Sequence, residues 1–145
     1  MYRSPRELIG FTLGRASRLW RTRMDERLGP LGLTQARWLV LVHLSRAGGA
    51  MPQKELAERI GVEGPTLVRV LDGLERTGFI ERRGQDADRR AKVVHLVAQS
   101  SDVVGEIVKI AAELREEILD GVAEEDLATC MRVLTTIVRN MEGGR

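Results

Sequence analysis

Residues 53–98 place two short amphipathic helices, joined through a glycine, directly ahead of a basic hairpin, and few folds accommodate that order. Gln53–Ile60 reads as a helix ended by Gly61, and residues 64–77 read as a second helix ended by Gly78. A short strand follows over Phe79–Gly84, then a loop holding Asp86, Asp88, Arg89 and Arg90, then a return strand over Lys92–Val97. Two helices that cross steeply through a short turn leave little room at their contact, so a small residue, here Ala57, is wanted there. The turn itself calls for positive φ, which Gly61 adopts at little cost. Leu56, Ile60, Val62, Leu67, Val70, Leu71 and Leu74 supply the apolar stripe beneath. Alone, the helix pair equally describes a hairpin in a small bundle. The basic hairpin after it turns the reading toward a winged helix-turn-helix.

The rest of the chain reads as helix on both sides of this unit. Ser4-Pro5-Arg6-Glu7 has the pattern of a capping box with proline at the first helical position. A helix carrying Leu8, Phe11, Leu19, Trp20, Met24 and Leu28 should run from there to Gly29-Pro30. Thr34 is placed to cap a second helix from Gln35 to about Ala47, with Gly48-Gly49 as its stop. Beyond the hairpin, Ser100-Ser101-Asp102 can start a long helix that Gly121 breaks, and a last helix is expected over about 124–142. The expected fold is mainly α with a small β-hairpin wing: one domain over 1–145, a winged region over 34–98, and terminal helices over 5–28 and 100–142. The apolar stripes of the terminal helices cannot all bury against the central unit. The simplest cover is a second copy of the chain across a twofold axis, and the alternative is a monomeric helical core.

Charge is unevenly spread. Residues 1–46 hold nine arginines against three acids, residues 99–142 hold four basic side chains against ten acids, and residues 82–92 hold five basic against two acidic. The basic hairpin favours a polyanion partner, whereas the acidic end is read equally well as solvated helix faces. An aromatic content of 3% argues against stacking platforms for single strands. No apolar run reaches the length of a membrane span, and the lone Cys130 forms no intramolecular disulfide, so a cytoplasmic location is expected. His43, His95 and Cys130 have no metal spacing, no cofactor motif appears, and no nucleophile motif suggests an enzyme. The early turns of the second short helix, Gly64, Pro65, Thr66 and Arg69, stand where a reading helix meets phosphate and base edges. Arg69 suits bidentate guanine recognition, with an ordinary surface arginine as the alternative. Arg82 and Arg83 face opposite ways by strand alternation, so only one can follow a DNA backbone.

The order helix–helix–HTH–wing–long helix–helix, over roughly residues 6–142, resembles the MarR family of bacterial regulators and looks closest to its SlyA branch. The stretches that carry the resemblance are Arg18-Leu-Trp-Arg21, Asp25-Glu-Arg-Leu28, Leu33-Thr-Gln-Ala-Arg-Trp38, Leu56-Ala57, Ile60-Gly61, Pro65-Thr-Leu-Val-Arg69 and, most specifically, Asp88-Arg-Arg-Ala-Lys92. The resemblance implies a homodimeric, nucleoid-bound regulator of a palindromic double-stranded operator. It implies Arg89 or Arg90 as a minor-groove finger, Asp88 as its brace, and a DNA grip released or altered by a small aromatic acid or another signal. That acid would lie near Arg18, Arg21, Ala36 and Trp38, although Ala36 stands where some relatives carry a polar side chain. For these four residues, core and surface packing is the alternative. Thiol-sensing relatives use a cysteine in the first helix; none stands there, and Cys130 on its apolar stripe reads as core or dimer packing. A winged helix can also serve as a protein-interaction module without a DNA site of its own. Affinity for a duplex that falls steeply with salt separates the two.

Overall fold

The computed structural model describes the backbone of residues 4–85 and 88–143, and the side chains of those residues other than 35, 85 and 88–90. Helix α1 spans Pro5–Leu28 and starts at a complete capping box. The Ser4 amide donates to Glu7 Oε2 at 2.8 Å, and the Glu7 amide donates to Ser4 Oγ at 3.4 Å. A 3₁₀ turn over Gly29–Leu31 leads into α2, Gln35–Arg46. Thr34 takes the extended backbone of a cap, yet its side chain makes no capping hydrogen bond, contrary to expectation.

The helix pair follows as α3, Gln53–Ile60, and α4, Gly64–Arg76. Gly61 sits between them at φ 77°, and its amide donates to the Ala57 carbonyl at 2.9 Å. That left-handed geometry is the one the turn was expected to need. Leu67, Leu71 and Leu74 line the buried side of α4, the i, i+4, i+7 stripe of an amphipathic helix. Gly73 is also buried, and a Cβ there would stand 2.6 Å from Nη2 of Arg37 on α2. A bare backbone at this point lets the guanidinium lie across α4.

The sheet has three strands, not the two anticipated. Strand β1, Ala50–Pro52, pairs antiparallel with β3, Asp88–Leu96, which pairs antiparallel with β2, Ile80–Gln85. Asp88, Arg89 and Arg90, expected in a loop, belong by backbone to β3. An irregularity of register between Gly84 and Gln85 brings Gln85 opposite Asp88, whereas Gly84 lies opposite Lys92.

The core gathers Leu41 and Leu44 from α2, Leu56 from α3, the α4 leucines, Ile80, Val94, and Ile107 from α5, Ser101–Ile118. The chain forms two compact units, Met1–Leu114 and Arg115–Arg145. The second contains α6, Glu124–Met141, which buries none of its residues and begins on Glu124, Glu125 and Asp126, acids that suit the positive end of a helix dipole. The architecture is thus mainly helical with a small antiparallel sheet. Among the described residues no helix is long and apolar enough to cross a membrane.

Candidate nucleic-acid interface

With its leucines turned inward, α4 presents Gly64, Pro65, Thr66 and Arg69 to solvent. Glu63, the cap residue, offers no side-chain hydrogen bond to the first turn, so the Gly64 and Thr66 amides keep their capacity to meet an acceptor, while Pro65 has no N–H to offer. Arg69 has no ion-pair partner among the described residues. Its guanidinium is therefore available, as a base-reading arginine requires.

Beside this helix runs an open groove of about 990 Å³. Its lining includes Gln53 and Lys54 at the start of α3, Gly64 and Val68 of α4, and Arg82 and Lys92 of the sheet. Two helix N-termini and three basic side chains thus border one concavity, with Glu58 and Glu63 as acids on its rim. The Gln53 Oε1 atom is buried there without a hydrogen-bond partner among the described residues. Lys54 was not singled out from sequence. It follows Gln53 in the first turn of α3, where a helix pair of this kind approaches the same groove.

The two strand arginines diverge, as their alternation demands. Arg82 is held by two carboxylates of α4: Nη2 lies 2.5 Å from Asp72 Oδ1 and Nε lies 2.6 Å from Glu75 Oε2. Its side chain is only 16% exposed. Partial burial opposes its charge, but the hydrogen bonds to Asp72 and Glu75 outweigh that and hold its pKa above the ordinary arginine value. Arg83 is 60% exposed and pairs with Glu81 of its own strand at 2.8 Å. That hydrogen bond, with the charge of Arg83, lowers the Glu81 pKa. The side chains of Asp88, Arg89 and Arg90 lie outside the described residues.

The four residues suggested for an effector lie on α1 and α2. Arg18 and Arg21 are exposed on α1. Trp38 is 6% exposed, and its Nε1–H donates to Asp25 Oδ1 at 2.8 Å, so the indole is core with its one donor committed. Ala36 is half-buried. Neither described groove is lined by any of the four. Cys130 is exposed on α6 in the protomer, so it is not a core residue there. Among the described residues no group of His, Cys, Asp and Glu is arranged to hold a metal ion.

Comparison with known proteins decides the family. A model described as "MarR family" matches residues 31–91, the stretch from α2 through the start of β3. The crystal structure of the transcriptional regulator PA3341 is 46% identical, over 93% of this chain and 98% of that one, with a TM-score of 0.88. The chain belongs to the MarR family. Its fold also superimposes on AbsC, a MarR family transcriptional regulator from Streptomyces coelicolor, at 22% identity over 99% of both chains, TM-score 0.84. A mutant of MarR from E. coli, solved in complex with operator DNA, aligns at 23% identity over 89% of this chain and 92% of that one, TM-score 0.78. In MarR family terms, α3 and α4 form the helix-turn-helix and β2–β3 the wing.

Proposed function

We propose that this MarR family chain is a homodimeric regulator that binds a palindromic double-stranded operator. The observation that carries the reading is the outward face of α4. Gly64, Pro65, Thr66 and Arg69, the last with no ion-pair partner among the described residues, are exposed on a helix whose other side is locked into the core. A rigid helix with free donors at its front is what major-groove readout requires. The MarR from E. coli that shares this fold was solved with operator DNA, which supports the same docking here.

In this reading α4 enters the major groove, Arg69 meets a base edge, and the first-turn amides and Lys54 meet phosphate. The wing reaches the adjacent minor groove with Arg89 or Arg90, a position where a guanidinium gains from the concentrated negative potential. Asp88 steadies the tip. The dimer is supported by apolar surface that a soluble monomer would not leave open. On α1, Leu8, Ile9, Phe11, Leu19 and Trp20 are exposed; on α6, Met131, Val133, Val138 and Met141 are. A twofold axis through such helices would set two α4 helices about one DNA turn, roughly 34 Å, apart. Release by a small aromatic acid belongs to the same proposal, with Arg18, Arg21, Ala36 and Trp38 as its residues. None of the four lines a described groove of the protomer, and in this proposal a second protomer completes the site. Selecting genomic fragments on the immobilised protein tests the function: a shared palindrome supports it, and retention without any common sequence contradicts it.

A further inference from the structure

Ile80 and Arg82 share one face of β2, two residues apart, and that face is turned toward α4. Ile80 is 2% exposed in the core. Arg82, one step farther out along the wing, reaches Asp72 and Glu75, acids one helical turn apart on α4. The guanidinium uses a different nitrogen for each carboxylate, Nη2 for Asp72 and Nε for Glu75. A planar fork held at two points fixes direction as well as distance, which an ammonium cannot do. Past Arg82 the strand runs only through Gln85 before the wing turns back. The same two bonds offset part of the negative charge that Asp72 and Glu75 place on the reading helix, charge that would otherwise repel phosphate.

We propose that Arg82 is a positioning residue that sets the angle of the wing against α4, not a phosphate contact. It acts through the two α4 carboxylates, so that α4 and the wing tip meet neighbouring grooves as one rigid pair. The inference rests on the DNA-binding reading above. It also divides the work of the two strand arginines: the exposed Arg83 is left to follow the DNA backbone.

The test uses the full-length protein and the palindrome it selects, with Arg82→Lys, Arg82→Gln, and Asp72→Asn with Glu75→Gln. A phosphate contact survives as lysine, but a two-carboxylate fork does not. The expected result is that both Arg82 variants lower operator preference over scrambled DNA by at least about 30-fold, as for one lost wing contact in each of the two half-sites. The thermal midpoint should stay close to that of the parent. Adding Arg82→Gln to the Asp72, Glu75 double variant should cost little more, because the brace is already gone. The proposal is overturned if Arg82→Lys binds like the parent. It is also overturned if Arg82→Gln costs the same in both backgrounds while the salt slope falls by about two per dimer, the signature of lost phosphate contacts. Amide exchange of residues 80–84 in the free protein decides the brace independently of DNA. It should quicken in Arg82→Gln and in the double variant alike, and unchanged exchange overturns the proposal. A parent protein that selects no DNA would instead refute the DNA reading, with exchange still deciding the brace.

Discussion

Replacing Arg69 by alanine separates base reading from mere attraction to DNA. The side chain is exposed on α4 and engages no carboxylate among the described residues, so its removal should leave stability within about 0.5 kcal/mol. A bidentate arginine–guanine pair is worth about 1–3 kcal/mol of discrimination. A twofold dimer makes the contact twice, so the operator should lose about 2–6 kcal/mol, from about 30-fold to more than about 10,000-fold in affinity. Scrambled DNA, held through phosphates, should lose far less. The assay is competition between labelled operator and scrambled duplex at one fixed salt concentration, repeated at several salts. An equal loss on both duplexes, with a salt slope shallower by about one per subunit, would reassign Arg69 to phosphate and refute the argument from the face of α4.

Asp25→Ala should destabilise the fold by about 1–3 kcal/mol, because it strands the buried indole N–H of Trp38. An unchanged urea midpoint would show that the bond contributes nothing. His43 gives a pH dependence: burial first, then the charges of Arg46 and Arg59, hold its pKa below the usual histidine value. The unfolded chain therefore takes up this proton more readily, so the stability from this site is intact above about pH 6.5 and is lost as pH falls through the folded pKa. His43→Gln should flatten that loss, and a variant whose urea midpoint still falls as steeply on acidification would refute the assignment. Deleting residues 124–145 should abolish the dimer by removing α6 and its exposed apolar side chains; a stable dimer in light scattering after the deletion would place the interface elsewhere.

Local chemistry was legible in this sequence wherever a residue type answers to its own few neighbours. Ser4 and Glu7 cap each other across a single turn, and Gly61 takes the positive φ that its place between two helices demands. The leucine stripe of α4 faced inward as its spacing required. Strand β1 escaped notice because Ala50–Pro52 is too short to show alternation and exists only through its pairing with β3. Thr34 has the right identity for a cap but not the hydrogen bond, since identity does not settle a side-chain rotamer. The partners of Arg82 lie seven and ten residues back on another element, and that of Trp38 lies thirteen back, so only tertiary packing brings them together. Charge alone made Arg82 resemble Arg83. The structure distinguishes them by what each guanidinium already holds.

The most direct test of the central claim is the salt dependence of binding to the selected palindrome, measured for the parent and for Arg89→Ala with Arg90→Ala. If α4 and the wing grip DNA as a dimer, log affinity falls linearly with log salt, by about 0.9 for each phosphate neutralised. The double variant should lose about 1–3 kcal/mol per half-site and bind with a shallower slope. A parent affinity indifferent to salt, or a double variant that folds and binds as the parent does, would contradict the account.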